Sequence, residues 1–210
     1  MLFAITLYVA FVYGVLYLFF DAYPVVFVEH HGLNPVLTGC TFLPFLVGCV
    51  LGTVFYAFFE NKIYLKRLNA SPTDSLPPEF RIRSTIYGAP ILVISLFWFA
   101  WTCLLSGSRI WSPIVAGGFF GLAIFFIMFS LFTYLADTYK GMTASAIAAN
   151  TMVRSAFGVG FPLFSTQMYH KLGPPIATTV LACIAVVMLP IPFVLYKFGP
   201  YLRSKSRYAA

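Results

Sequence analysis

The segment PIVAGGFFGLAIFFIMFSLFTYLA, residues 113–136, carries no charged side chain. Because a bilayer core of about 30 Å requires roughly 20 apolar residues in a helix, this segment is long enough to cross a membrane. Five further segments are mostly apolar and at least as long as a membrane crossing requires, at residues 2–28, 37–59, 85–105, 143–168 and 175–196. We therefore predict an all-α polytopic membrane protein, with six transmembrane helices in a domain that covers residues 1–197.

The composition of the whole chain indicates that most of its surface faces lipid rather than water. Of the 210 residues, 60% are hydrophobic and 9% are charged, against roughly 45–50% and 25% in soluble domains. The net charge is +7, but the basic residues lie at span ends and in connectors rather than on one face, so nucleic acid is not an expected partner. The apolar start lacks the basic flank and cleavage site of a signal peptide, which predicts a chain that begins in mid-protein.

Basic residues predict the orientation, because cytoplasmic flanks retain an excess of Lys and Arg. Ten of the 13 lie on one predicted side, in the loop 60–84, at Lys140, at Lys197 and in a basic tail, 198–210. Arg109 and Lys171 lie on the other side. Both termini are therefore predicted to be cytoplasmic, and the glycosylation sequon at Asn69 is expected to stay unmodified.

Two ionisable residues, Asp21 and Arg154, fall within predicted spans, where a charge costs at least about 2.5–3.5 kcal/mol at a helix centre. Arg154 is predicted near the midplane and Asp21 nearer the outer surface, so we do not expect them to pair directly. Both are candidates for a substrate or proton pathway, Asp21 as a proton carrier and Arg154 as an anchor for anionic groups or a structural counter-charge. The alternatives are that outer water reaches Asp21 and that backbone carbonyls satisfy Arg154.

Further polar residues mark the fifth span and the end of the fourth. Asn150 lies one helical turn before Arg154 on the same face, so we add it to the candidate pathway. Asp137 lies at the predicted cytoplasmic end of the fourth span. It is a candidate for a salt-bridged inner gate, and the alternative is a solvated helix terminus.

Small residues predict where membrane helices approach closely. Two GxxxG pairs occur, Gly48 with Gly52 and Gly117 with Gly121. The fifth span has an unusually small surface, made by Ala144, Ser145, Ala148, Ala149, Ser155, Ala156, Gly158 and Gly160. We expect these surfaces to pack against other helices.

The remaining reactive side chains form no recognised catalytic or metal site. The four cysteines lie far apart in apolar runs and are interpreted as small core residues. His30 and His31 are adjacent but have no downstream partner at a metal-ligand or catalytic spacing. No G-x-S-x-G, H-E-x-x-H or P-loop motif occurs. We predict no enzymatic activity, no catalytic residue, no metal and no cofactor.

Several segments resemble those of a known transporter family. They are YLFFDAYP at residues 17–24, PPEFR at 77–81, LFWFAWT at 96–102, WSPI at 111–114, YLADTY at 134–139, ASAIAANT at 144–151 and PIPF at 190–193. Together they are similar to the C-terminal six-helix half of the major facilitator superfamily. Within that superfamily they most resemble the fungal drug:proton antiporters, which include multidrug and polyamine exporters.

The resemblance implies one half of a two-half transporter, with substrate bound near the midplane between the halves. It implies efflux of a small amphipathic or cationic compound in exchange for protons, across the plasma membrane or, alternatively, the vacuolar membrane. The implied partner is a missing N-terminal half or a second copy of the chain. The competing hypothesis is a truncated membrane protein that acts as a scaffold and transports nothing.

Overall fold

The computed structural model describes residues 2–69, 77–104 and 110–204, with side chains as far as Tyr201. The described residues form helices and no strand, so the predicted all-α fold is confirmed. The helices are α1 (Leu2–Tyr23), α2 (Pro35–Cys40), α3 (Leu43–Phe55), α4 (Asn61–Asn69), α5 (Arg83–Thr102), α6 (Trp111–Thr138), α7 (Thr143–Leu172), α8 (Pro174–Met188) and α9 (Pro190–Ser204).

Within the described residues, five helical segments are long and apolar enough to cross a bilayer. They are Leu2–His30, Pro35–Asn69, Pro78–Thr102, Trp111–Thr138 and Pro174–Tyr201, and they overlap five of the six predicted spans. The remaining predicted span corresponds to α7, which is long enough with 30 residues but falls outside this set because of its polar composition. The sixth crossing therefore remains a prediction.

Prolines mark the bends and breaks in these segments. The π-helical segment Pro24–His30 continues α1. Pro44 and Pro190 lie in the first turns of α3 and α9. Proline is tolerated there because the N–H groups of a first turn have no partner within the helix. The second and sixth predicted spans are therefore each divided into two helices. Pro90 and Pro162 lie inside α5 and α7.

The predicted loop 60–84 is partly helical, which corrects the sequence prediction. The chain continues through Glu60 into α4, because α4 places Ile63, Tyr64 and Leu68 on one half-buried face with helical spacing. The first part of the predicted tail, residues 198–204, likewise continues α9. Part of the Asn69 sequon and Arg109 lie outside the described residues.

Three helices meet at one aromatic contact in the centre of the molecule. Phe19 of α1 stacks on Phe120 of α6, with ring centroids 4.1 Å apart, and touches Phe99 of α5 at 4.8 Å. All three rings are buried. Around this centre, α7 packs on α1, α3 packs on α6, and α8 packs on α5.

The predicted glycine pairs lie where helices approach closely. A Cβ atom on Gly48 of α3 would fall on the carbonyl oxygen of Gly118 in α6, and one on Gly121 would fall on the carbonyl oxygen of Phe45. Gly117 leaves room for the hydroxyl group of Tyr23. The α3–α6 contact therefore depends on backbone surfaces that only glycine exposes.

The prediction of core cysteines is wrong in part, and only some of the small residues of α7 are packed within this chain. Most of the small side chains on α7 are exposed rather than packed, namely Ala144, Ser145, Ala148, Ala149, Ser155 and Ala156, whereas Gly158 is buried. Of the four free cysteines, Cys103 is buried and Cys49 half-buried, but Cys40 and Cys183 are exposed. In a membrane helix both the core face and the lipid face are apolar, so composition does not separate them.

Candidate functional site

The predicted residues of α1 and α7 lie along one interface, which we call the α1–α7 seam. Asn150 Nδ2 donates a hydrogen bond to Thr6 Oγ1 at 3.4 Å, and Ser165 Oγ donates one to Asp21 Oδ2 at 2.5 Å. Both pairs are separated by 144 residues. The two helices therefore run parallel in a constant register over about 22 Å, at about 1.5 Å per residue.

Asp21 lies at the end of the seam predicted to be nearer the outer surface. Its carboxylate is half-buried, and its partner Ser165 is fully buried. The Ser165 hydroxyl has a second acceptor within reach, the Pro162 carbonyl oxygen at 2.9 Å. Because a serine hydroxyl carries one hydrogen, it can donate to only one of these two acceptors at a time.

Arg154 lies deeper in the seam and is held by aromatic rings. Its guanidinium carbon is 4.6 Å from the ring centroid of Tyr13 on α1 and 5.2 Å from that of Phe132 on α6, within the range of a cation–π interaction. Its buried Nε atom has no hydrogen-bond partner among the described residues. Within the described part of the chain Arg154 therefore contacts ring faces, and not the backbone carbonyls considered as an alternative.

Asp21 and Arg154 do not form an ion pair within the described part of the chain. Ser165, the partner of Asp21, lies about 16 Å beyond Arg154 along α7, at about 1.5 Å per residue. The seam thus holds two ionisable groups at separate levels, each with its own surroundings.

Asn150 occupies the third predicted position on the seam. Its side chain is 1% exposed, and its Oδ1 atom has no partner among the described residues. A buried acceptor without a partner costs about 1–3 kcal/mol. In this conformation the Asn150 side chain is therefore buried against α1.

Glycines set the distance across the seam. A Cβ atom on Gly158 would lie 2.9 Å from the Tyr13 ring, and one on Gly14 would lie 2.8 Å from the Phe161 ring. Tyr13 also shares a hydrogen bond with Tyr17, at 3.1 Å between their hydroxyl oxygens. The absence of a side chain at Gly158 thus lets Tyr13 lie against α7, where its ring meets Arg154.

Asp137 belongs to a second cluster, at the end of the bundle predicted to be cytoplasmic. Its Oδ2 accepts a hydrogen bond from Arg81 Nε at 2.9 Å, in an ion pair whose side chains are 34% and 21% exposed. Arg81 also donates to the Tyr56 hydroxyl at 2.9 Å and lies 4.1 Å from the Tyr64 ring centroid. The two side chains are therefore ion-paired, and the pair joins the helical turn Pro78–Ile82, before α5, to α6.

Removing either partner of this ion pair is expected to lower stability. In a double-mutant cycle of Arg81→Gln and Asp137→Asn, we expect a coupling energy of about 1 kcal/mol, because the pair is partly exposed but well aligned. The cycle is read from denaturant or thermal unfolding of the purified chain. Additive effects of the two substitutions would contradict a direct interaction.

Histidines at the predicted outer end make structural contacts. His31 Nε2 lies 2.8 Å from the Cys103 carbonyl oxygen, and His170 lies 3.7 Å from a carboxylate oxygen of Glu29. No group of three or more His, Cys, Asp and Glu side chains in the described ranges is arranged to hold a metal ion.

Sequence reasoning missed three partners on the seam: Thr6, Tyr13 and Ser165. Ser165 continues the helical spacing of Asn150, Arg154 and Gly158, so extending that stripe by two turns would have found it. The residues on α1 could not be found in this way, because the parallel contact between α1 and α7 is a tertiary property. Only the fold brings the two stripes together.

Comparison with known proteins gives relatives over nearly the whole chain. The chain is 39% identical over 206 residues to the citrinin biosynthesis cluster MFS transporter mrr1 of Monascus ruber. It is 40% identical over 200 residues to the efflux pump atB of Aspergillus terreus, and 38% identical over 208 residues to the multidrug transporter TPO1_1 of Candida glabrata. The chain is a homologue of major facilitator superfamily transporters.

The similarity covers most of this chain but less than half of each relative. The aligned regions are 97%, 93% and 99% of the chain but 40%, 42% and 36% of the three relatives, respectively. No protein-family model matches the chain, and no solved structure matches it significantly.

Proposed function

We propose that this chain is the C-terminal six-helix part of a proton-coupled exporter of small molecules, of the fungal drug:proton antiporter type. Four of its relatives are named as efflux pumps or multidrug transporters, which favours transport over the scaffold hypothesis. The observation that carries the proposal is the α1–α7 seam, where Asp21 and Arg154 are both half-buried. Ionisable residues at membrane depth are characteristic of substrate and proton pathways.

In the proposed cycle Asp21 carries the proton and Ser165 responds to it. With Asp21 ionised, the Ser165 hydroxyl donates to the carboxylate. When Asp21 takes up a proton, its own O–H can donate to Ser165 Oγ, and the Ser165 hydrogen is then free to turn to the Pro162 carbonyl oxygen, 2.9 Å away. Protonation would thereby change the hydrogen bonding at the proline of α7, where a helix is easily bent.

Alternating access requires a second bundle against which this one rocks. The exposed small residues of α7 and the exposed apolar side chains of α3, such as Leu46, Val47 and Val50, are suitable surfaces for it. We propose that an N-terminal half or a second copy of the chain supplies that bundle. The ion pair between Arg81 and Asp137 would then form part of the inner gate.

Proton-driven efflux from cells that express this chain tests the proposal. Fluorescent drugs and polyamines serve as the substrate panel, and the surface abundance of the chain is measured in parallel. Efflux above background that is abolished by a protonophore is the expected result for a chain that pairs with a second copy. Without efflux from inserted chain, the same assay is repeated with an N-terminal half supplied, and failure there contradicts the proposal.

Arg154 is proposed to anchor an acidic group of the substrate, because its guanidinium has ring faces but no carboxylate beside it. We expect Arg154→Met to lower efflux of carboxylate-bearing compounds by about tenfold, the effect of losing roughly 1.4 kcal/mol, while cationic dyes are still exported. Arg154→Lys is the matched control for charge without the planar guanidinium. Equal losses for both substrate classes at normal abundance would assign Arg154 a purely structural role.

A further inference from the structure

Two tyrosines of α1 lie beside Arg154 at the surface of the α1–α7 seam. Tyr13 and Tyr17 are four residues apart, so they project from the same face of the helix. Their rings meet edge to face, with centroids 5.0 Å apart and planes at 74°, and their hydroxyl oxygens are 3.1 Å apart. Arg154 lies against the Tyr13 ring. We call these three side chains the tyrosine–arginine patch.

The patch carries a positive charge that no anion of the described residues balances. The Arg154 side chain is half-buried, and its Nε atom is buried without a hydrogen-bond partner in the described part of the chain. No carboxylate in the described ranges forms an ion pair with it. Because buried charges are normally paired, the ligand that complements Arg154 is an anion.

The two tyrosine hydroxyl groups supply one further donor beside this charge. Each phenol carries one hydrogen, and within the pair one hydroxyl donates to the other. When Tyr13 is the donor, the hydrogen of Tyr17 is left to bind an outside acceptor. The Tyr17 hydroxyl also lies within the electrostatic reach of Arg154. The guanidinium and this O–H can therefore donate to the two oxygens of one carboxylate.

Tyr17 offers an open ring face in addition to its hydroxyl group. The residue is 36% exposed, while one edge of its ring lies against α7, where a Cβ atom on Gly158 would be 3.2 Å away. Contact with Gly158 fixes the ring, and the exposed part remains accessible. Since aromatic pairs attract each other beyond the area that they bury, this face suits a planar ring.

We propose that the tyrosine–arginine patch selects aromatic carboxylates as substrates, with Tyr17 as the specificity-determining residue. The carboxylate would accept from Arg154 and from the Tyr17 hydroxyl, and the attached ring would stack on Tyr17. An aliphatic acid would satisfy only the charge, and an aromatic cation would be repelled by Arg154. This assignment rests on the proposed transport function and names a substrate class for it.

Direct binding tests the assignment without requiring transport. The full chain, with its second bundle if one is required, is placed in nanodiscs and titrated with 2-naphthoate in a calorimeter, and empty nanodiscs give the background. Decahydro-2-naphthoate, which has the same carbon skeleton without an aromatic face, is the matched ligand. We expect 2-naphthoate to bind at least about fivefold more tightly, a difference of about 1 kcal/mol. Equal affinities, or no binding of either acid, would overturn the proposal.

Variants at Tyr17 separate the ring from the hydroxyl group. Tyr17→Leu is expected to remove the preference for 2-naphthoate, whereas Tyr17→Phe should keep the preference and weaken both acids by about fivefold, because one hydrogen bond is lost. Tyr87→Leu is the matched control, since Tyr87 is a tyrosine of α5 that is 46% exposed and accepts from Arg83, outside the seam. A preference that survives in Tyr17→Leu would contradict the role of the ring.

A matched cation tests the charge of the ligand. 2-Naphthylmethylammonium carries the same ring with a positive group, and we expect it to bind at least about tenfold more weakly than 2-naphthoate. In Arg154→Met this difference should disappear. Equal binding of the two ligands to the parent chain would show that the patch selects rings of either charge, which contradicts the carboxylate class.

Efflux measurements distinguish failure of this assignment from failure of the proposed function. Proton-driven export of cationic dyes by a chain that binds both naphthoates equally would support transport and overturn the substrate class. Selective binding of 2-naphthoate by a chain that exports nothing, even with an N-terminal half supplied, would support the specificity of the patch and contradict the exporter.

Discussion

Asp21→Asn is expected to lower proton-driven efflux by at least about tenfold, the equivalent of roughly 1.4 kcal/mol, because the exchanged proton loses its carrier. Asparagine keeps the size of the side chain and can still pair with Ser165, but it neither binds nor releases a proton. The carboxylate that accepts from Ser165 at 2.5 Å is therefore lost without a cavity. Efflux is measured in cells in which the parent chain transports, and is normalised to surface abundance.

Glu29→Gln is the matched control for this experiment. Glu29 lies at the same end of the bundle, but its side chain is 50% exposed and its distance from His170 is 3.7 Å. We expect its replacement to leave efflux within about twofold, because exposed pairs contribute little. If Asp21→Asn transported as well as Glu29→Gln, at equal abundance and with the same pH dependence, Asp21 would not be the proton carrier.

The second large effect is expected at the contact between α3 and α6. Gly48→Ala places a methyl group on the Gly118 carbonyl oxygen, and a backbone atom cannot rotate away as a side chain can. Overpacking of this kind costs about 1–3 kcal/mol or more, which exceeds the gain of about 1 kcal/mol in helix propensity. We expect a clearly lower thermal midpoint, measured by size-exclusion chromatography of a fluorescent fusion after heating.

Gly160→Ala provides the comparison for Gly48→Ala. Gly160 lies inside α7, and a Cβ atom there would meet nothing within 4 Å. The same chemical change should therefore be neutral or slightly stabilising, since alanine is the better helix former. Equal thermal midpoints for the two variants would show that α3 and α6 do not approach each other as closely as described.

The helical spans were predictable because the bilayer imposes a simple rule on length and composition. The breaks between helices within these spans were harder to predict from the sequence. The sequence places Pro44 inside a predicted span, where prolines are common, yet it lies in the first turn of a new helix. The basic residues of the α4 segment favour the prediction of a loop, although its apolar residues recur with helical spacing.

The candidate site was predictable only on one of its two helices. Asn150 and Arg154 are visible as a polar stripe with a spacing of four residues. Their partners on α1, Thr6 and Tyr13, are unremarkable residues in a uniformly apolar segment.

Substrate-induced proton release tests the central claim most directly, because it observes the coupling itself. The purified chain, with its second bundle if one is required, is placed in weakly buffered detergent, and substrate is added while a pH indicator is recorded. Proton release by the parent chain, absent in Asp21→Asn and retained in Glu29→Gln, is the predicted result. Substrate binding without any proton release, or equal release from Asp21→Asn, would contradict proton-coupled transport through the α1–α7 seam.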